Sequence, residues 1–340
     1  STLLSEKESA TVYIRKTEIE NLHVLTGGPV PLNPAELLGS PVPKRPPGFC
    51  TGCPERPVFR AIKLAERDIE IGKLHISADI GCHTFAALPP FGLGNTVTGY
   101  GLGLSSGAGT RYAFGEKKRT VSIMGDGGFW HNGLSTGITG AVYNDADTVL
   151  VIMANGYSSA TGQQHLPSTT AGGTVQPDTV VPIENALKGV GVKWIRKQHT
   201  YHVSEMRKLL KEALTTKVKG LKVIIAEAEC QIAKQRRIRP LIAKALKAGE
   251  RVVRTRFGVD EDTCTGDHSC IRLSGCPSLT VKPNPDPLRK DPVAHVNNGC
   301  VGCGLCGEVA DAAVLCPSFY KADIVQNPSA LDRVLDGWRK

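Results

Sequence analysis

The stretch Met124-Gly125-Asp126-Gly127-Gly128-Phe129-Trp130-His131-Asn132 constrains this chain more than any other. Before it lies a strand-length apolar run, residues 121–124. After it Leu134, Ile138 and Val142 recur on one helical face. A second strand, over 148–153, ends just before Asn155-Gly156-Tyr157. The glycines beside Asp126 turn the chain at the strand end and let backbone N–H groups approach a phosphate at a helix N-terminus. A carboxylate and a side-chain amide delivered to one edge suit Mg²⁺, which takes oxygen ligands and usually shares them with phosphate. An ordinary turn at Asp126 and a cap at Asn155 is the alternative that these residues alone leave open.

Around this unit strands alternate with helices. A helix is expected over 58–69 and a strand over 75–80, ending at Gly81-Cys82-His83. A small-residue helix is expected within 92–109, a short helix at 186–189, a strand at 193–197, a helix over 204–215 and a strand over 221–228. The alternation implies an α/β fold: a doubly wound, mostly parallel sheet. In such sheets ligands sit at the carboxyl ends of strands. Cys82, Asp126, Asn155 and Cys230 each fall just past an expected strand, so one sheet edge gathers them. Residues 158–182, rich in Ser, Thr, Gly and Pro, read as a long functional loop.

The domain layout follows from composition. Residues 1–47, Pro-rich toward their end, are an arm or linker, and 48–232 hold the sheet. Residues 233–258 are a basic connecting segment, 259–325 a Cys-, Gly- and Pro-rich second domain, and 326–340 a tail. The basic run (Lys234, Arg236, Arg237, Arg239, Lys244, Lys247, Arg251, Arg254, Arg256) is a solvated helix face or a docking surface for an acidic electron carrier or nucleotide phosphates. Aromatic residues make up only 5% and no recognition motif appears, which argues against nucleic acid as a partner. No apolar run is long enough to span a membrane and no signal peptide is visible, so a cytoplasmic location is expected. Residue 1 is Ser rather than Met, which suggests processing or a longer polypeptide.

The 11 cysteines carry the second signal. Cys300-x2-Cys303-x2-Cys306 is followed by Cys316-Pro317, and Cys264, Cys270 and Cys276-Pro277 precede it. The bacterial two-cluster ferredoxin pattern is C-x2-C-x2-C-x3-C-P taken twice, the fourth Cys of each motif serving the other cluster. Cys300, Cys303, Cys306 and Cys276 are then expected to hold one 4Fe–4S cluster. The other motif departs from the pattern, with Asp267 where the middle Cys belongs and longer gaps before Cys276 and Cys316. Cys264, Cys270 and Cys316 are therefore expected to bind a 4Fe–4S cluster completed by Asp267, with His268 a rival ligand, or a 3Fe–4S cluster. Structural zinc is the competing reading for any C-x2-C.

Gly-Asp-Gly followed about thirty residues on by Asn resembles the diphosphate-binding motif of thiamine-diphosphate enzymes. The resemblance implies that Asp126, Asn155 and the Tyr157 carbonyl hold Mg²⁺. Gly81, His83, Gly125, Gly127, Gly128 and Ser158 join Asp126, Asn155 and Tyr157 as expected cofactor contacts. His83 either faces the cofactor or is a packed histidine. Cys50-x2-Cys53, Cys82 and Cys230 follow the order of a cluster next to thiamine diphosphate in 2-oxoacid:ferredoxin oxidoreductases. Phe49-Cys-Thr-Gly-Cys-Pro-Glu-Arg56, Asp79-Ile-Gly-Cys-His83 and Ala160-Thr-Gly-Gln163 narrow the likeness to indolepyruvate ferredoxin oxidoreductases. That resemblance implies a thiamine-diphosphate-binding fold with a ferredoxin-like C-terminal domain. It implies oxidative decarboxylation of an arylpyruvate to the acyl-CoA, with electrons passing through three clusters to ferredoxin. An electron-transfer subunit, or an oxidoreductase for another 2-oxoacid, is the alternative. The activating Glu of such enzymes lies on a separate pyrimidine-binding domain, so that domain and a gamma-type domain are expected on another chain or an upstream segment. The whole assembly is expected to be a homo-oligomer.

Overall fold

The computed structural model describes residues 14–16, 23–25, 48–69, 73–113, 118–170, 180–306 and 316–339. It divides into two compact units, Ser1–Pro47 and Gly48–Lys340. In the first, strands β1 (Ile14–Lys16) and β2 (His23–Leu25) pair antiparallel.

The second unit is built on a six-stranded sheet of β3 (Ile76–Ala78), β4 (Thr96–Val97), β5 (Val121–Gly125), β6 (Val149–Ala154), β7 (Trp194–His199) and β8 (Lys222–Glu227). Their order is β4-β3-β5-β6-β8-β7 and every pairing is parallel. Helices cover both faces, as an all-parallel sheet requires. Val121, Ile123, Val149, Val151, Ile224 and Ala226 face one layer, made by α1 (Arg56–Asp68) and α5 (Val203–Thr215). Their strand neighbours Met124, Leu150, Ile152, Val223 and Ile225 face the other. There α2 (Gly103–Ala113), α4 (Ile183–Gly189) and a continuous helix α3 supply Leu104, Leu187, Phe129 and Ile138. The doubly wound sheet read from the alternation is thus present.

Helix α3 runs through Asp126–Gly128, Phe129–Ile138 and Thr139–Tyr143, and its middle segment is a π-helix. Wide turns of that kind gather at functional sites. Gly133 and Gly137 sit where it crosses Met124 and Leu104.

The chain leaves β3 toward β4 on one side and β5 on the other, so strand order reverses at the β3–β5 boundary. Ala78 stands opposite Ile123, and Gly125 opposite Met153. This register brings Asp79, Asp126 and Asn155 past the strand ends within one small region, at the kind of switch point where open α/β sheets bind ligands.

The basic stretch 233–258 is not a plain connector. Helix α6 (Gln231–Lys247) takes most of it, and strand β9 (Val252–Val259) takes the rest. β9 pairs antiparallel with β12 (Phe319–Gln326) over its whole length, so a boundary at 259 cuts off strand β9. Between them lie α7 (Ser269–Ser274) and the hairpin of β10 (Leu279–Lys282) with β11 (Val293–Val296). The expected tail contains α8 (Ala330–Arg339), tied back by Arg251 to Asp332 at 2.7 Å. The elements from β9 onward belong to the same compact unit, Gly48–Lys340, as the sheet. Among the described residues, no helix is long and apolar enough to cross a membrane.

Candidate functional site

Asp126 is 1% exposed at the mouth of β5. The N–H groups of Gly127 (3.0 Å) and Gly156 (2.6 Å) donate to its two carboxylate oxygens. Burial, with the Glu55 carboxylate adding to it, pushes this carboxyl up to about 7 despite those donors. Asn155, 7% exposed, lies beside it on the strand register. Its oxygen accepts from Tyr157 N–H (3.2 Å) and Ser159 Oγ (2.7 Å), and its amide donates to Glu55 Oε1 (3.2 Å). A desolvated carboxylate and an amide oxygen side by side suit a hard dication.

The glycines around Asp126 are close approaches, not loose turns. A Cβ on Gly127 would fall on the Tyr100 hydroxyl and Ser158, and one on Gly128 on the Asp79 carboxylate. Tyr100 and Ser158 hydroxyls are hydrogen-bonded at 2.8 Å. Two adjoining clefts share Asp126, Asn155 and Tyr157. One is lined also by Gly81, His83, Gly125, Gly127, Gly128 and Ser158, so the structure brings all nine expected cofactor contacts together. The other holds about 400 Å³ and runs to Thr169, Ile183 and Glu229, a size that suits a small ligand. Two close backbone approaches at Gly127 and Gly128, a buried carboxylate beside an amide oxygen and the adjoining space fit a magnesium diphosphate.

His83 is both packed and cleft-lining. It is buried against Asp79, Nε2 to Oδ1 at 2.6 Å. Burial opposes its charged form, but Asp79 and Glu55 outweigh that and hold the imidazole above its usual value. Asp79 also accepts from Gly101 N–H (2.8 Å) and Gly125 N–H (3.4 Å), so it braces the β3 and β5 loops against each other. Asp79, Tyr100 and Glu55 were not singled out from sequence as site residues. Asp79 and Glu55 do lie inside motifs quoted above, where a carboxyl group in an otherwise buried strand-end context was the available signal.

Cys50, Cys53, Cys82 and Cys230 gather near the same cleft. Each of the first three thiols is pushed up by burial and by at least one of its companions, Cys82 to about 12 and Cys53 well above its ordinary value. Glu55 adds to all three. Cys82 lines the cofactor cleft, and Cys230 N–H donates to the Asn155 carbonyl at 2.9 Å.

The C-terminal cysteines lie along the chain from Cys264 to Cys316. Cys264, Asp267, Cys270 and Cys316 line one pocket of about 220 Å³ together with His268, several times the ≈ 30 Å³ of one water. Burial and its neighbours Cys316, Cys264 and Asp267 raise Cys270 to about 11. Asp267 is held low by hydrogen bonds from Ser269. His268 adopts a left-handed φ of 55° and its Nε2 is 2.8 Å from the Pro292 carbonyl, which occupies one ring nitrogen. Cys303 lies within electrostatic reach of Cys276 and Cys300, while Cys306 closes a described stretch just before residues 307–315, which lie outside the described residues. Among the described residues no three His, Cys, Asp or Glu side chains converge on a single-ion position. A cubane distributes its thiolates around several irons rather than onto one point. Part of the expected loop 158–182, residues 171–179, also lies outside the described residues.

The parallel sheet and the Asp126 cradle at its strand ends are similar to those of a thiamine-diphosphate-binding domain. The sequence profile of the C-terminal TPP-binding domain of thiamine pyrophosphate enzymes matches residues 79–226. More particularly, the chain is similar to indolepyruvate oxidoreductase subunit IorA. It is 29% identical to that of Thermococcus kodakarensis over 311 residues, 86% of this chain and 44% of the relative. It is 30% identical to that of Archaeoglobus fulgidus over 285 residues, 84% of this chain and 42% of the relative. The chain thus spans less than half the length of these relatives. A solved structure of 2-oxoglutarate:ferredoxin oxidoreductase from Magnetococcus marinus aligns with TM-score 0.47 at 19% identity, over 55% of this chain and 66% of that one. The likeness read from sequence, to the 2-oxoacid:ferredoxin oxidoreductases and among them to the indolepyruvate enzymes, is borne out by the sequence matches.

Proposed function

We propose that this chain is the thiamine-diphosphate-binding half of a 2-oxoacid:ferredoxin oxidoreductase that converts an arylpyruvate of the indolepyruvate type to its acyl-CoA. The observation that carries the reading is the shared wall of the Asp126 cleft: Cys82 sits beside His83 in it, and Cys230 is bonded through its backbone to Asn155. A cofactor cradle and a thiol set at one strand edge serve a reaction that releases electrons where it breaks a bond. Bound thiamine diphosphate supplies the nucleophilic carbon that makes decarboxylation of a 2-oxoacid feasible.

The chain's own residues do the rest. Asp126, Asn155 and the Tyr157 carbonyl hold Mg²⁺, and Gly127 and Gly128 let the backbone close on the diphosphate. Tyr100, Ser158 and His83 wall the cleft and exclude water. Cys50, Cys53, Cys82 and Cys230 hold a 4Fe–4S cluster beside it. Cys276, Cys300, Cys303 and Cys306 hold a second. Cys264, Cys270 and Cys316, with Asp267, hold a third, and the last two make residues 259–325 a ferredoxin-like module with β9 added. Ferredoxin is the electron acceptor and CoA the acyl acceptor. Pyrimidine-binding and gamma-type domains on another chain or segment complete the site, in an oligomeric assembly. A reducing, cytoplasmic location suits so many thiolates.

The test is anaerobic: indolepyruvate and CoA are added to the full assembly and reduction of a viologen dye is followed. Reduction that requires both thiamine diphosphate and CoA supports the reading. No reduction by any arylpyruvate at full iron and thiamine occupancy moves the substrate to another 2-oxoacid, or the role to electron transfer alone.

A further inference from the structure

Arg56 opens helix α1, three residues after Cys53, and is 0% exposed. An arginine keeps its charge in any protein environment, so a buried one needs a counter-charge or full hydrogen bonding. Arg56 has neither. Its Nη2 donates to the Ser274 carbonyl, while Nε and Nη1 have no hydrogen-bond partner. The preceding residue, Glu55, turns away from it to Asn155.

The surroundings say what is missing. Ser274 is two residues before Cys276. The loop Cys50–Cys53 presses on the same region: Thr51 Oγ1 meets Ser278 Oγ at 2.8 Å, and a Cβ on Gly52 would fall on Val301, between Cys300 and Cys303. Tyr201 donates its hydroxyl to the Gly52 carbonyl at 2.7 Å. The Arg56 charge lies within electrostatic reach of both Cys303 and Tyr201. Two open guanidinium nitrogens thus stand between the first cysteine set and the set Cys276, Cys300, Cys303 and Cys306.

We propose that Arg56 is an internal counter-cation for the cluster held by Cys276, Cys300, Cys303 and Cys306, and that it raises this cluster's reduction potential. The proposal rests on the cluster reading above. A four-thiolate 4Fe–4S centre is an anion that gains one further negative charge on reduction, and a fixed cation nearby stabilises the reduced form more than the oxidised one. Net charge and hydrogen bonding to sulfur are recognised controls on such potentials. Arg56 is a positioning residue here. It ligates no iron, and it would make this cluster the favoured resting place for an electron that has left the first set.

The experiment is an EPR-monitored redox titration of the anaerobic full chain with R56Q and R56K. Cys300→Ser identifies the signal, and iron and sulfide are assayed throughout. In R56Q the reduced-to-oxidised ratio of this cluster at fixed potential is expected to fall at least tenfold, about 59 mV for one electron. R56K keeps the charge and is expected to stay within threefold of wild type. If R56Q fails to assemble the cluster, Arg56→Met, which also removes the charge, takes its place in the titration with the same tenfold fall expected. Wild-type potentials in both variants, or equal loss of iron in both, overturns the proposal. Wild-type protein whose iron content is indifferent to Cys300→Ser overturns the cluster reading itself.

Discussion

Replacing Asp126 by Asn separates the site's two demands, stability and binding. Burial takes the carboxyl from its ordinary 3.8 up to about 7. Each pH unit of that displacement is worth 1.36 kcal/mol, so keeping the group ionised at pH 8 without a cation costs roughly 4 kcal/mol. Asn is isosteric and uncharged, but its one oxygen can serve only one of the two N–H donors, Gly127 or Gly156. The donor left over costs about 1–3 kcal/mol. D126N without ligands should therefore be more stable than wild type at pH 8, by roughly 1–3 kcal/mol. It should also lose the stabilisation that ligand brings, about 2.7 kcal/mol at a hundredfold excess over Kd. The sign in wild type is set by a carboxyl raised on folding. The Asp126 contribution to ligand-free stability is fully present below about pH 4, falls as pH rises toward 7, and levels off above. Anaerobic thermal unfolding from pH 5 to 8, with and without Mg²⁺ and thiamine diphosphate, reads all of this. A D126N protein that still responds to the ligands, or that melts well below ligand-free wild type at pH 8, refutes the reasoning.

Other outcomes follow from neighbouring groups. D79N should destabilise by about 3–5 kcal/mol in denaturant unfolding, because it removes the buried partner of His83 and weakens the links to Gly101 and Gly125. The contribution of that ion pair is fully present below the ordinary histidine value and is lost as pH rises through the elevated folded value. Comparing wild type with D79N across pH 5.5 to 9 checks this. Gly127→Ala should weaken thiamine diphosphate binding at least tenfold by calorimetry, since its methyl group meets Tyr100 and Ser158. D267C should convert the Cys264–Cys270–Cys316 centre to ordinary all-cysteine EPR behaviour with full iron content. A centre already all-cysteine in wild type would remove Asp267 as ligand.

What the sequence made legible was short-range. Residues 121–155 read correctly because strand periodicity, glycine turns and the two polar groups all fall within one supersecondary unit. Spacing along the chain groups cysteines, because ligand spacing is itself local. Glu55, Asp79, Tyr100 and Arg56 matter through what lies across the fold from them, and no local pattern reports that. The pairing of β9 with β12 spans some sixty residues and hides behind a run of basic side chains, so that stretch looked like a connector. The π-helical segment of α3 has the same apolar spacing as an α-helix, and only its wider i→i+5 hydrogen bonding distinguishes it.

The β9–β12 ribbon bears on how the iron-binding part could ever travel by itself. A fragment cut at residue 259 discards strand β9 and leaves β12 an open edge of eight residues, an invitation to self-association. A cut near residue 250 keeps both rails, and the C-terminal cysteine loops hang between them like rungs. Recombination that exchanged this portion between proteins would have to respect that earlier seam.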